Sequence, residues 1–171
     1  MNLSNLSTEE IKELALAKKV GLADFIDSGI CPTCFDREND NALFGDNSDN
    51  VIYEDEDFEC FLAGNPRCVG HTIISTKKHF KNMMECDDDT CAKIFVLAKK
   101  VMNIIKDVYG AKCVYICSMS DGPMNHFHVQ LIPRYEYEKR GSKNFVKPRE
   151  EYIFDEEKVK VLRSKLNCDS I

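Results

Sequence analysis

The chain has 171 residues, 43% hydrophobic and 30% charged, and its formal net charge at pH 7 is −6. This length fits one domain, 1–171, with a sizeable core and the composition of an ordinary soluble protein. The negative charge argues against general nucleic-acid binding, so any anionic substrate must be held by a local positive site. No apolar run approaches the roughly 20 residues that span a bilayer, so no membrane partner is expected.

The first residues and the cysteine content favour a cytoplasmic protein. No basic region followed by an apolar stretch opens the chain, which predicts that a signal peptide is absent. Nine cysteines, an odd number, then indicate reduced thiols and not a disulfide scaffold.

An amino-terminal helix is predicted over 7–29. Ser7 and Glu10 have the spacing of a capping box, an apolar face follows them, and Gly29 can close the helix.

The pair Cys31 and Cys34 follows that helix with two residues between the cysteines. Two thiolates at this spacing can bind one zinc ion through a tight turn, but the other ligands must come from elsewhere. The candidate partners are the four histidines, His71, His79, His126 and His128. A redox pair is the alternative, although it normally opens a helix after a strand, and here a helix precedes it. Two incidental cysteines are the third interpretation.

Three segments after the cysteine pair have the composition of β-strands. The first two predict a hairpin across the acidic turn 54–57, and the third begins at Gly70. Their bounds are 51–53, 58–62 and 70–75.

The longest predicted element is a helix whose apolar residues recur every three or four positions. Aspartates at 87–89 favour its positively polarised end, and Gly110 ends it. Strand patterns follow over 114–117 and from His126, and a short helix around Leu162 finishes the chain. Segregated strands and helices of this kind predict an α+β domain with a mostly antiparallel sheet of about five strands.

The segment from His126 to Gln130 is the most informative part of the chain. Because side chains alternate along a strand, His126, His128 and Gln130 share one face. Phe127 and Val129 point to the other face and can seat the strand on a core. Three polar side chains on one face predict a functional site, against the alternative of ordinary core or surface histidines.

The segments on either side of this strand have two interpretations each. In the loop 118–125, Ser120 and Asn125 are candidate phosphate contacts, and an ordinary strand connection is the alternative. The basic segment 134–149 is either a solvated loop or an electropositive rim that recruits polyphosphate.

Four motifs in order resemble the histidine triad (HIT) superfamily: the cysteine pair, Asn65-Pro66 before Gly70-His71-Thr72, Lys77-Lys78-His79, and His126-x-His128-x-Gln130. The resemblance covers 31–134 as a HIT core, with 135–171 as a basic segment and carboxyl-terminal helix. It implies a HIT-like α+β fold with a long helix on the sheet, extra terminal helices, a homodimer, and a nucleotide or dinucleoside polyphosphate as substrate.

The resemblance also implies residue roles. His128 would be the nucleophile, and a nucleotidyl-histidine intermediate would divide one hard displacement into two easier ones. His71 and Gln130 would orient or stabilise phosphate. In zinc-containing relatives the metal takes residues that match Cys31, Cys34, His79 and His126, a closed set of four protein ligands typical of structural zinc. The implied activity is a HIT-type nucleotide hydrolase, phosphorylase or nucleotidyltransferase, and a catalytically weak nucleotide-binding or partner-binding regulator is the alternative.

Two positions depart from the commonest family pattern. Gln130 replaces the third histidine, as in the branch with galactose-1-phosphate uridylyltransferase and dinucleoside polyphosphate phosphorylases. Glutamine can donate a hydrogen bond to phosphate, but it has no proton to give to a leaving group near neutral pH. Ala63 stands where relatives often place a ribose-binding Asp or Asn, and Asn65 is the candidate substitute.

Overall fold

A computed structural model describes residues 1–139 and 147–167. Its centre is a five-stranded sheet in which every pair of neighbouring strands is antiparallel, with the order β1-β2-β3-β5-β4. The strands are β1 (Val51–Glu54), β2 (Phe58–Leu62), β3 (Thr72–Thr76), β4 (Cys113–Cys117) and β5 (His128–Arg134). The predicted fold class, α+β with a HIT-like sheet, is confirmed.

The described residues also form five α-helices: α1 (Thr8–Leu16), α2 (Leu22–Asp27), α3 (Pro32–Glu38), α4 (Asp88–Tyr109) and α5 (Glu156–Asn167). The side chain of Asp87 caps α4 by accepting from the Thr90 N–H, and Gly110 ends it in a left-handed conformation. The predicted start and end of the long helix are therefore confirmed. Among the described residues, no helix is both long and apolar enough to cross a membrane.

The two faces of the sheet have different roles. Phe127, Val129 and Leu131 point to one face, where they join a buried cluster with Ile94 and Val101 of α4. Leu162 and Leu166 of α5 belong to the same cluster. The alternation predicted for this segment then leaves His126, His128 and Gln130 for the opposite face, and packing on the first face fixes their direction.

The amino-terminal region differs from the single helix predicted over 7–29. Helix α1 ends near Leu16, Lys18 has a positive φ of 53°, and α2 begins after Gly21. The helix is broken there, and α1, α2 and α3 together bury a second, smaller cluster around Phe25 and Phe35. Periodicity alone missed the break because both helices keep their apolar faces in the same repeat.

Three further differences concern the site. Cys31 caps α3 and Cys34 lies within it, so the cysteine pair does open a helix, contrary to the tight turn predicted. Regular pairing in β5 begins at His128 and not at His126. A solvated loop is wrong for Arg134, which is buried and bonds to Glu138. Lys147 pairs with that same carboxylate, while Arg140 and Lys143 of the basic segment lie outside the described residues.

Candidate functional site

His128 is held by its backbone neighbour in a single tautomer. Its Nδ1 lies 2.8 Å from the carbonyl oxygen of His126, which can only accept a hydrogen bond. In the neutral ring, Nδ1 therefore carries the proton and Nε2 keeps a free lone pair. The side chain is half-buried, and it borders a cavity on this face of the sheet.

Gln130 and His71 lie beside that free nitrogen. The Gln130 Nε2 is 3.4 Å from His128 Nε2, within range of a weak hydrogen bond. His71 is 1% exposed, and its Nδ1 accepts from the Arg67 N–H at 3.0 Å. The proton of neutral His71 is consequently on Nε2, which can donate a hydrogen bond to Gln130.

The amide orientation of Gln130 follows from these partners. Its Oε1 and the His71 Nε2 are both buried and form no hydrogen bond of good geometry within the described part of the chain, yet one is an acceptor and the other a donor. Burial lowers the pKa of His71 to about 4, the Arg149 charge adds to that effect, and Gln130 opposes it. With Oε1 facing His71, the NH₂ group of Gln130 faces His128.

At the other end of the segment, four side chains converge as a possible metal-binding cluster. Cys31 and Cys34 come from the start of α3, His79 from the loop after β3, and His126 from the approach to β5. Their ligand atoms lie within 4.8 Å of one another. The Cys34 Sγ is 3.3 Å from His79 Nδ1 and 3.4 Å from His126 Nδ1. Two sulfurs and two imidazole nitrogens are a donor set that suits zinc.

A hydrogen bond to the backbone orients the ring of His126 toward the cluster. Its Nε2 lies 2.7 Å from the Thr76 carbonyl oxygen, so Nε2 carries the proton and Nδ1 offers its lone pair to the cysteines. Burial lowers the pKa of His126 to about 4, which keeps the ring neutral. Burial and the adjacent Cys31 raise the pKa of Cys34.

A cavity of about 490 Å³ adjoins His126 and His128 on the same face of the sheet. One wall is apolar and comes mainly from Phe44, Val51, Phe61 and Ile73. The polar lining includes Asn41, Asn47, Asn50, Glu59 and Ser75. The negative charge of Glu59 is partly compensated by Arg37, whose Nη2 lies 3.6 Å from the carboxylate. Apolar walls with a few polar groups are typical of small-molecule sites.

Sequence reasoning missed most of this lining, because the residues between α3 and β1 fit no regular pattern. The asparagine-rich run over 39–50 was the available signal. Of the predicted substrate contacts, Asn65 is exposed in the loop before His71, and Ser120 lies in the loop after β4. The Asn125 amide donates to the Lys81 carbonyl at 2.8 Å. Ala63, 2% exposed, offers no polar side chain to a ribose.

Comparison with known proteins places this arrangement in a family. The model of the HIT domain matches residues 45–137, which is just over half of the chain. The chain belongs to the HIT domain family. The matched region includes the His126–Gln130 segment, whereas the cysteine pair precedes it and the segment 147–167 follows it.

Known HIT proteins resemble this chain over similar ranges. An uncharacterized HIT-like protein of Methanocaldococcus jannaschii is 36% identical over 90 residues, which are 50% of this chain and 69% of that protein. The crystal structure of a hypothetical histidine triad nucleotide-binding protein from Sulfolobus tokodaii has a TM-score of 0.56 and 31% identity. That match covers 70% of this chain and 84% of the other.

A zinc-bound histidine triad family protein from Mycobacterium smegmatis has a TM-score of 0.55 with this chain. Its identity is 23%, and the match covers 69% of this chain and 84% of that one. This likeness concerns the fold. In this chain, the side chains of Cys31, Cys34, His79 and His126 bring together four atoms that can bind a metal ion.

Proposed function

We propose that this HIT protein is an enzyme that cleaves a phosphoanhydride or related bond of a nucleotide through a nucleotidyl-histidine intermediate. The observation that carries the proposal is the fixed tautomer of His128. Its Nδ1–H is bonded to the His126 carbonyl at 2.8 Å, and its Nε2 lone pair is available on the cavity side of the sheet. A neutral imidazole with a free nitrogen is a competent nucleophile.

In the first step, the His128 Nε2 lone pair attacks the α-phosphorus and forms an N–P bond. The P–O bond to the leaving group breaks, and that oxygen takes the electron pair. The positive charge that develops on the ring is stabilised by the Nδ1–H bond to the His126 carbonyl. In the second step, an acceptor oxygen attacks the phosphorus, the N–P bond breaks, and its electron pair returns to Nε2.

Gln130 donates to phosphate and has no proton to transfer. Because the His71 side fixes its Oε1, its NH₂ group points at the reacting centre and can donate to a phosphate oxygen of the intermediate. An acceptor that arrives as an anion needs no proton removed, whereas water does. We therefore propose that phosphate or a sugar phosphate competes well against water as the acceptor.

The 490 Å³ cavity is proposed to hold the nucleoside between its apolar wall and the asparagines. Asn65, Ser120 and Asn125 remain candidate substrate contacts, with the Asn125 amide already donating to Lys81. Since Ala63 is buried and apolar, the ribose hydroxyls must be held by other groups in this chain.

The four-residue cluster is proposed to hold a structural zinc ion. With four protein ligands the metal has no open position, so it braces α3 against the approach to β5 and activates no water. We also propose a homodimer. Among the described residues, β4 pairs only with β5, so its outer edge is open to a second copy.

The buried Ala63 favours one alternative, a nucleotide-binding or partner-binding regulator with negligible turnover. One experiment separates the two functions. The purified protein is incubated with dinucleoside polyphosphates, nucleoside phosphoramidates and nucleotide sugars, quenched in base, and measured by intact mass. We expect turnover and a nucleotidyl adduct that maps to His128. Binding without turnover or adduct on every substrate would establish the regulator instead.

A further inference from the structure

Two arginines lie on neighbouring stretches of chain beyond the Gln130 end of the site, and each bonds to the other stretch. Arg67 lies in the loop between β2 and β3, and its Nη1 donates to the Lys147 carbonyl. Arg149 follows two residues later, and its Nη1 donates to the Asn65 carbonyl at 2.6 Å. The two guanidinium groups therefore cross-link the same two stretches of chain. Each stretch provides one arginine, which donates to a backbone carbonyl of the other stretch.

The charges of these two side chains are not balanced by acids. Among residues 1–139 and 147–167, no carboxylate lies within 4.0 Å of either guanidinium, and both recorded acceptors are neutral carbonyls. The Arg67 Nε is buried and forms no hydrogen bond to any described residue. Desolvation lowers the pKa of Arg149, and the nearby charge of Arg67 lowers it further. Two cations held close together without a counter-ion favour an anion between or beside them.

The pair is next to the reacting groups. The backbone N–H of Arg67 donates to His71 Nδ1 at 3.0 Å, and Cys117 of β4 stands opposite Gln130 in the strand register. The Arg67 charge acts on both His71 and Cys117, and the Arg149 charge acts on His71. The arginines are thus at the Gln130 end of the segment, away from the metal cluster at His126.

A buried ion pair fixes the position of the second arginine. Glu138 is 5% exposed and binds both Arg134 and Lys147. Lys147 in turn supplies the carbonyl that holds Arg67, and the Glu150 N–H donates to the Pro66 carbonyl at 2.7 Å. The segment that carries Arg149 is anchored on both sides of that residue, so its guanidinium is pre-positioned.

We propose that Arg67 and Arg149 form an anion-binding subsite for the phosphate of the leaving group or of the acceptor. This inference rests on the proposed function and deepens it, because it specifies a substrate whose second half is a phosphate anion. Two guanidinium forks match phosphate oxygens in geometry as well as charge. They also compensate for Gln130, because a leaving phosphate that departs as a bound anion needs no proton.

The arginines bind the charge that the leaving group gains in the first step. When the His128 Nε2 forms its bond to the α-phosphorus, the bridging oxygen leaves with the electron pair and one more negative charge. In the reverse direction, a phosphate oxygen held at the subsite attacks the phosphorus, and the electron pair of the N–P bond returns to His128.

The test uses the full chain and inorganic tripolyphosphate as the probe. Calorimetric titration of wild type is compared with Arg149→Gln, since Arg149 is exposed and its loss should leave the core intact. We expect the dissociation constant to rise at least about tenfold, and Arg149→Lys to recover part of the loss because it keeps charge without the fork. Lys99→Gln, an exposed charge change on α4 across the sheet, is the matched control and should change affinity less than twofold.

A second arm measures kcat/KM for a dinucleoside polyphosphate and for a nucleoside phosphoramidate, whose leaving group is a neutral amine. The ratio of the two should fall at least about tenfold in Arg149→Gln. Equal losses on both substrates, or tripolyphosphate binding that matches wild type, would overturn the subsite. If wild type turns over neither substrate, the proposed function fails, while the tripolyphosphate titration still decides the subsite.

Discussion

The two ends of the His126–Gln130 segment differ in how completely their polar groups are satisfied. At the His126 end, one ring nitrogen bonds to the Thr76 carbonyl and the other faces two sulfurs and His79. At the Gln130 end, Gln130 Oε1, His71 Nε2 and Arg67 Nε are buried without a hydrogen bond of good geometry to any described residue. Only three residues separate His126, where four potential metal ligands converge, from Gln130, beside which buried polar groups lack hydrogen bonds.

This difference indicates what each end does. Groups that already have partners, or that gain them all from one metal ion, make a rigid support. Buried groups without partners cost free energy unless a ligand satisfies them, and such groups cluster where a protein binds or reacts. His128 stands between the two ends, with its Nδ1 bonded to the His126 carbonyl and its Nε2 facing Gln130.

The largest expected effect is the loss of His128, the proposed nucleophile between the two ends. His128→Asn should lower turnover by more than about 10⁴-fold, the upper range for losing a general acid or base, because the covalent route disappears. The adduct seen by intact mass should vanish, while the thermal midpoint changes little. Activity within tenfold of wild type would exclude His128 from this role.

The next largest effect concerns the proposed zinc site at the His126 end. Cys34→Ser should abolish stoichiometric zinc and lower the thermal midpoint by about 10 °C, which corresponds to about 4 kcal/mol for a chain of this size. Metal analysis and calorimetry of the purified proteins measure both. Cys113→Ser, which changes an exposed cysteine at the start of β4, is the matched control and should keep the metal. A wild type without stoichiometric zinc would refute the metal assignment.

The buried His71 at the Gln130 end should make the stability of the protein depend on pH. The pKa of His71 falls from an ordinary 6.5 to about 4, mainly through burial. Between these values the unfolded chain binds more protons than the folded one, so the free energy of unfolding falls as pH drops, by up to about 3 kcal/mol. His71→Gln keeps an acceptor for the Arg67 N–H and removes that titration.

The measurement is urea unfolding of both proteins at neutral pH and near pH 4. The variant should lose less stability than wild type across this range, by an amount that approaches about 3 kcal/mol. Because the other histidines are common to both proteins, their contribution cancels in the comparison. Parallel losses in the two proteins would show that His71 keeps an ordinary pKa.

The smallest effect concerns the choice of acceptor. Phosphate or a sugar phosphate should accelerate turnover and divert the nucleotide from free monophosphate to the acceptor. Gln130→His restores a group that can move a proton, so the ratio of hydrolysis to transfer should rise by about tenfold. Product analysis with and without acceptor measures this ratio. Exclusive release of monophosphate under every acceptor condition would identify a hydrolase despite the glutamine.

Much of the fold could be predicted because it depends on local patterns. The alternation from His126 to Leu131 required one buried face, and α4 carries its apolar stripe between an aspartate cap and Gly110. The amino-terminal break could not be predicted, since the two helices bury their faces only once the helix is broken at Lys18. Local periodicity is blind to such a break.

The sequence by itself determined the residue types of the site. Two cysteines and four histidines at these spacings predict a metal site and a functional strand face, because thiolates and imidazole nitrogens are common zinc ligands. The resemblance to the HIT family assigned each residue a role. The tautomers were beyond reach, because they depend on which backbone carbonyl each ring faces.

Only the tertiary structure brought Arg67 and Arg149 together. They are 82 positions apart, and Arg149 lies beyond the matched HIT domain, in a segment whose sequence favoured a solvated loop. The buried Glu138 side chain pairs with Arg134 and Lys147. Lys147 in turn accepts from Arg67, so these pairs hold the segment of Arg149 against the loop before His71. Long-range charge placement of this kind leaves no periodic signal in a sequence, because it is set by packing between distant segments and not by neighbours along the chain.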